Sequence, residues 1–377
     1  MDLKPVIQTS DPLHVQVEQF LRHQILHGRL REGDPLPPTH ELGHQWGINH
    51  LAIQKAMKHL VRDGLLVRRQ RKGTFVRKKP ARFAIGILVA ASLMEQSHYF
   101  GRAVVHYLQL EIQQKPDWIC RVYDGIGHTL DASQNLPSHQ HLRSDFQNHV
   151  YAGIIQLVPQ FDAFQLLIPG VDLPIVRLAP LLKNAPGDVM LDYGHFGMET
   201  IRFLSQQGIQ KIAYLRAFCN YDWGKIPDLD GVQKACATWN LPPVEIHHLK
   251  ADTGGTHLEK ASYEKTLRLI ETWKSKRQWP EALLVSDDIA MRGAAMALLQ
   301  KNIPIRDLSK PQRPASSQLA VVTMANEGVE HLYVSPIARY ELSPQKIALE
   351  LVRILGEKIN GASPTPTPVM IQGQIKT

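Results

Sequence analysis

The sequence predicts an α/β protein in two parts. A short helical segment closed by a basic hairpin precedes a long body of parallel sheets covered by helices. Three observations lead there. Apolar residues between Leu13 and Leu60 recur at helical spacing, in stretches broken by Gly and Pro. Beyond Phe83, continuous apolar runs such as Ala84-Ile85-Gly86-Ile87-Leu88-Val89 alternate with longer helical stretches, the pattern of strands buried on both faces. The net charge of +8 is also uneven: residues 1–80 hold 14 Lys/Arg against 7 Asp/Glu, and the rest of the chain holds 29 against 28.

The chain has 377 residues, of which 44% are hydrophobic, enough for two or three domains with real cores. That composition excludes wholesale disorder. No apolar run approaches the ~20 residues of a membrane span. The opening MDLKPVIQTSDP lacks the basic start and apolar core of a secretory signal. Cys120, Cys219 and Cys236 are scattered and odd in number, which argues against a disulfide framework and fits a cytoplasmic protein.

The first helix should start at Asp11-Pro12, a capping carboxylate followed by a proline at the first helical position, and run from Leu13 to Leu26. Val17, Phe20, Leu21 and Ile25 form its buried stripe, and Gly28 is its stop. Residues 31–38 read as a turn-rich connection. A short helix follows, Thr39 to Trp46, ended by Gly47. Asn49 then caps a third helix, His50 to Asp63, with Ile53, Met57 and Leu60 facing inward and Gly64 as its stop. Residues 65–69 and 74–76 read as two strands of a hairpin around a basic turn, within a run (68–79) of seven basic residues and no acid.

Three helices and a basic hairpin make a winged helix-turn-helix, whose third helix enters a major groove of DNA. Its outer face carries His50, Leu51, Gln54, Lys55 and Lys58. Gln can pair with an adenine edge, and Lys can reach phosphate or guanine. The hairpin turn, Gln70 to Gly73, would lie along the backbone or in the minor groove.

This segment resembles the DNA-binding domain of the GntR family of bacterial regulators. The resemblance is carried by Pro12-Leu13-x-x-Gln16, Leu21-Arg22-x-x-Ile25-x-x-Gly28-x-Leu30, Gly33-Asp34-x-Leu36-Pro37, Glu41-Leu42, Gly47-Ile48, Ala56-Met57-x-x-Leu60, Gly64-Leu65-Leu66-x-Arg68-Arg69 and Gly73-Thr74-Phe75-Val76. It implies DNA contacts from His40, Asn49, His50, Leu51, Gln54, Lys55, Lys58, Arg69, Arg71, Lys72, Gly73 and Thr74. The family usually has Arg at the positions of His40, His50 and Gln54, and Gly at that of Arg71. An operator unlike the usual family one is therefore expected.

His40-Glu41-Leu42-Gly43-His44 also matches the HExxH zinc-peptidase pattern, in which two histidines one helical turn apart bind the metal and Glu acts as general base. Here it falls on the second helix of the winged domain, with no third ligand, so two surface histidines are expected instead. His139/His141 and His247-His248 read as loop text without ligand spacing.

In the body, strands are expected at 84–89, 118–123, 153–158, 174–178, 189–192, 212–215, 282–286 and 319–323. Helices are expected at 99–113, 194–207, 229–239, 259–274, 288–301 and 343–360. Nearly 300 residues suit two lobes. No Walker motif, GxGxxG or nucleophile elbow is present, so no enzyme activity, metal or cofactor is expected.

Residues 83–375 resemble the effector domain of the LacI/GalR repressors, built like a periplasmic sugar-binding protein. The carrying text is Ile85-Gly86-Ile87, Ala152-Gly153-Ile154-Ile155, Leu173-Pro174-Ile175-Val176, Asp192-Tyr193-x-x-Phe196-Gly197, Gly208-Ile209-x-Lys211-Ile212-Ala213, Asp230-Gly231-Val232, Ala282-Leu283-Leu284-Val285-Ser286-Asp287-Asp288-x-Ala290-x-x-Gly293 and Ala320-Val321-Val322. Ser97 to Arg102 look more like the xylose-regulator branch. The pairing of head and body is similar to arabinose-type repressors. At the family's sugar-binding positions stand Asp228, Asp287 and Ala325-Asn326 in place of Arg, Asn and Asp. The resemblance implies an effector site with Ser97, Tyr99, Tyr193, Asp228, Asp287 and Asn326, and with Tyr99, Tyr193 and Trp223 placed to stack on a sugar.

The expected domains are 1–77 (winged helix-turn-helix), 78–82 (linker) and 83–377 (two-lobed effector and dimerisation domain). The expected function is a dimeric, sugar-responsive transcription repressor acting on a two-fold DNA site in carbohydrate metabolism. The rivals are a hydrolase using His40, Glu41 and His44, and a regulator whose cleft has lost its ligand.

Overall fold

A computed structural model of the chain describes residues 5, 12–26, 29–62, 64–77, 83–94, 99–126, 137–148, 151–158, 163–171, 173–179, 188–217, 227–249, 257–310, 318–329, 336–362 and 367–377. The cap expected at Asp11, the stop at Gly28, the helix end at Asp63, the linker 78–82, Ser97, Trp223 and Cys219 lie outside these residues.

The elements run α1 (Leu13–Leu26), β1 (Pro35–Leu36), α2 (Thr39–Trp46), α3 (His50–Arg62), β2 (Leu66–Arg69), β3 (Gly73–Val76), β4 (Phe83–Ala90), α4 (Tyr99–Gln113), β5 (Trp118–Ile126), α5 (Pro137–Asn148), β6 (Tyr151–Leu157), α6 (Ala163–Leu167), β7 (Ile175–Ala179), β8 (Val189–Leu191), α7 (Tyr193–Gln206), β9 (Ile212–Arg216), α8 (Pro227–Thr238), β10 (Glu245–His248), α9 (Leu258–Lys276), β11 (Ala282–Val285), α10 (Asp288–Gln300), β12 (Ala320–Asn326), β13 (Ala338–Leu342), α11 (Pro344–Ile359), β14 (Val369–Ile371) and β15 (Gln374–Lys376). They form two compact units. The first comprises Met1–Val89, Gln109–Val176 and Leu355–Ser363, and the second Ala90–Leu108, Arg177–Ile354 and Pro364–Thr377.

In the first unit, α1, α2 and α3 enclose a core of Val17, Leu21, Leu42, Trp46, Ile53, Met57 and Leu60, all buried. The stripe read from helical spacing is thus the packed face. The hairpin pairs Leu66 with Val76 and Arg69 with Gly73. The connection 31–38, expected to be turn alone, contains β1, which pairs Leu36 with Thr74 of β3. Pro35 is tolerated there because β1 lies at the sheet edge, where a missing N–H breaks no ladder. Further along, every residue of β4 and β6 is buried, and the two strands pair in parallel.

The second unit holds a six-stranded sheet of order β10-β9-β11-β12-β13-β15. Its first five strands are parallel and β15 closes the edge antiparallel. β9 and β11 are buried throughout. The chain starts at β9, steps to β10 on one side, then returns to β11 on the other. The reversal therefore lies between β9 and β11, the place where open parallel sheets leave a crevice at their strand ends.

Three local readings are corrected. Asp192 is not the end of a strand but the N-cap of α7, its Oδ1 accepting from the His195 N–H at 2.8 Å. His139 and His141 lie on α5, and His247 and His248 on β10, rather than in loops. The strongly polar text of α5 hides its period, and β10 is a four-residue edge strand.

Candidate nucleic-acid interface and ligand site

In the head, Gly43 explains the tight turn between α2 and α3. A Cβ on it would stand 2.8 Å from the Ile48 carbonyl, and the Ile48 N–H donates to the Gly43 carbonyl at 3.0 Å. Gly47 takes the left-handed conformation that ends α2, at φ 70°. Asn49 caps α3, its Oδ1 accepting from the Leu51 N–H at 2.9 Å. Glu18 braces α3 against α1: one carboxylate oxygen accepts from Arg22 and the other from the His59 ring, each at 2.7 Å. Beside it, burial and then the Lys55 charge hold His14 below the usual histidine range.

These contacts fix α3 by its inner face and leave its outer face to solvent. Asn49, His50, Leu51, Gln54, Lys55 and Lys58 are all exposed there, Leu51 at 58%. His40 on α2 is exposed as well. On the hairpin, Arg69, Arg71, Lys72 and Gly73 are exposed and Thr74 is half-buried. The Arg69 guanidinium lies over the Phe75 ring, 5.1 Å from its centroid. Every residue proposed for DNA contact is thus on one helix face, the start of the neighbouring helix or the basic hairpin.

His44 is exposed and Glu41 accepts from Gln45 at 3.3 Å. Among the described residues no group of three or more His, Cys, Asp or Glu is placed to hold a metal ion.

In the second unit, Asp228, Asp287 and Asn326 stand at the carboxyl ends of β9, β11 and β12. Asp287 caps α10, Oδ1 accepting from the Ile289 and Ala290 N–H groups at 2.8 and 3.0 Å. Burial, then the charges of Asp287 and Asp228, push the Tyr193 hydroxyl well above its ordinary range, so these three share one neighbourhood. Asn326, at the end of β12, donates to Asp288 at 3.5 Å. The Arg292 guanidinium approaches Asp288 at 4.0 Å and covers the Tyr99 ring at 4.8 Å. Burial, and then Asp287 beside it, raise the Asp288 carboxyl to about 7.

Two of the residues expected at the site have partners within the protein. Asp228 is buried, with Oδ2 accepting from Arg216 Nε at 2.6 Å and from Tyr214 at 2.9 Å, and Oδ1 from Arg216 Nη2 at 2.9 Å. Both of its oxygens are thus engaged within the protein. One face of the Tyr99 ring is covered by the Arg292 guanidinium. The sequence reading missed Tyr214, Arg216, Asp288 and Arg292. Arg216 closes an apolar strand and carries no periodic signal, whereas the doublet Asp287-Asp288 was a visible one.

Glycines set the helices that carry these groups. A Cβ on Gly197 of α7 would overlap the Asp228 carbonyl, and one on Gly231 of α8 would overlap the Gly194 carbonyl. The two helices therefore touch backbone to backbone. A Cβ on Gly293 of α10 would likewise overlap the Glu259 carbonyl of α9.

Residues 13–76 match the family described as bacterial regulatory proteins, gntR family. Over 71 residues, 19% of this chain, the sequence is 38% identical to the HTH-type transcriptional repressor NagR of Bacillus subtilis (strain 168), with 29% of that protein covered. The probable fructoselysine utilization operon transcriptional repressor of Escherichia coli (strain K12) is 37% identical over 73 residues, 19% of this chain and 30% of that protein. The chain thus spans less than a third of the length of these two relatives. Among solved structures, the transcription regulator CcpA of Lactococcus lactis aligns with TM-score 0.57 at 13% identity, over 78% of this chain and 98% of that one. The Escherichia coli transcriptional repressor ascG aligns with TM-score 0.56 at 19% identity, over 78% and 97%. Residues 13–76 thus match the gntR family of bacterial regulatory proteins, and 78% of the chain shares the fold of the solved structures of CcpA and ascG.

Proposed function

We propose that this protein is a one-component transcription regulator, a repressor, whose affinity for a two-fold DNA site is set by a small molecule. The observation that carries the reading is the outer face of α3, where His50, Leu51, Gln54, Lys55 and Lys58 are exposed beside a basic hairpin. α3 lies in the major groove, its N-terminal residues meet base edges, and Lys58, Arg69 and Lys72 meet phosphates. Residues 1–77 act as the DNA-binding domain and 83–377 as the effector and dimerisation domain. A dimer presents two heads and squares the requirement for sequence match.

The effector is a sugar or related metabolite, bound at the strand ends where Tyr193, Asp287, Asn326 and Tyr99 converge. Supporting this, two structures of like fold are titled as complexes with fructose 1-phosphate (Cra of Pseudomonas putida, TM-score 0.52) and with lactose (a LacI family regulator from Arthrobacter sp. FB24, TM-score 0.55). A ligand shifts DNA affinity by no more than its differential affinity for the two states of the protein. The protein has no catalytic role in this reading.

The test is selection of binding sites from sheared host DNA by the full-length protein, in chelator and at physiological salt. Recovery of a few two-fold sites supports the reading, and the adjacent genes nominate the metabolite to add. Retention of no DNA overturns it.

A further inference from the structure

Arg71 sits at the tip of the basic hairpin with φ 60°. The Lys72 N–H donates to the Arg69 carbonyl at 3.0 Å, so residues 69–72 form a turn with Arg71 at its third position. A positive φ there is glycine's place, because an L side chain crowds the following carbonyl. Gly73, at φ 106°, already supplies the left-handed residue the hairpin needs for its closing pair. A glycine at 71 would form this turn with less strain, so turn formation does not explain the arginine.

Phosphate binding alone does not explain it either. Lys72 is exposed next door, and Arg68 and Arg69 are exposed on the adjoining strand, with Arg69 held along the hairpin by its stack on Phe75. What distinguishes Arg71 is its position at the apex. Non-glycine residues held in the left-handed region cluster at binding and active sites.

We propose that Arg71 enters the minor groove beside each half-site and selects a narrow, A·T-rich flank outside the base pairs read by α3. The inference rests on the DNA-binding reading above. A-tracts narrow the minor groove and deepen its negative potential, and the guanine amine disturbs both. A guanidinium sheds water more readily than an ammonium, so arginine suits such a groove where lysine does not.

The experiment takes a site recovered by the selection above and varies only its flanks among A·T, G·C and I·C pairs. An I·C pair shows the major groove of G·C but lacks the minor-groove amine. The full-length protein should bind A·T and I·C flanks about tenfold more tightly than G·C flanks. The ratio should fall to parity in Arg71→Gly and shrink in Arg71→Lys, which keeps the charge. Arg71→Gly relaxes the turn and should melt no lower than the parent, so loss of the ratio is not loss of the fold. If I·C flanks bind like G·C flanks, or Arg71→Gly keeps the ratio, the inference fails while the regulator reading stands. If no defined site is recovered at all, both fail.

Discussion

Arg216 and Asp228 form a two-pronged ion pair inside the second unit, at 2.6 and 2.9 Å, with both side chains almost wholly buried. Tyr214 completes the shell of the same carboxylate. Removing one member leaves a buried charge without its counter-charge. Asp228→Ala should therefore cost roughly 3–5 kcal/mol of stability, read as a lower midpoint in urea. Replacing both residues by apolar ones of similar volume should cost much less than that single change. Equal losses in both variants would show that the pair is not the source of the effect.

Asp288 gives the second unit a pH dependence of defined sign. Burial, and then the charge of Asp287, raise its carboxyl from the ordinary 3.8 to about 7, so the folded state holds the proton more tightly. The contribution to stability is therefore fully present below about 4 and is lost as pH rises through 7. The Arg292 guanidinium lies 4.0 Å from it, and Asp287 and Asn326 are further polar neighbours. Asp288→Asn should gain stability over the parent at pH 8 and much less at pH 5, in paired urea titrations. A gain equal at both pH values would contradict the assignment.

Leu51 and Gln54 lie three apart on the exposed face of α3, so in the proposed complex they would face neighbouring base pairs. A leucine is suited to a thymine methyl and a glutamine to an adenine edge. Leu51→Ala should weaken binding by about 1 kcal/mol with an unchanged melting temperature, since its side chain packs in solvent. Gln54→Ala should relax the preference at one position of each half-site in a repeated selection. Unchanged preference in both variants would displace α3 from the groove.

Gly293→Ala should destabilise the second unit by roughly 1–3 kcal/mol, because the added methyl meets the Glu259 carbonyl of a facing helix. Backbone, unlike a flexible side chain, cannot turn aside. Circular dichroism melting would show the shift, and a variant melting with the parent would mean the helices are free to part.

The head was legible from sequence almost residue by residue, because its helices are amphipathic and bounded by Pro12, Gly47, Asn49 and Gly64. The buried strands β4, β6, β9, β11 and β12 were legible as apolar runs. β10, β14 and β15 were not: each has only three or four residues, too few to show a period, and β10 and β15 are largely polar. α5 carries so few apolar residues that no stripe is visible. Asp287, Tyr193 and Asn326, expected at a ligand site, were easy to single out in the sequence because they follow recognisable strands or open a helix. It missed the pairing of Asp228 with Arg216, which depends on the juxtaposition of β9 and α8 in space.

The glycine contacts of α7 and α8 have a mechanical consequence. Helices separated by long side chains can slide, because rotamers absorb small shifts. Here Gly197 and Gly231 bring main chain against main chain, and no rotamer lies between. Tyr193 opens one of these helices and Asp228 lies in the first turn of the other. A push on Tyr193 is therefore delivered to the helix of Asp228 without slack, and the pair behaves as a single rigid lever.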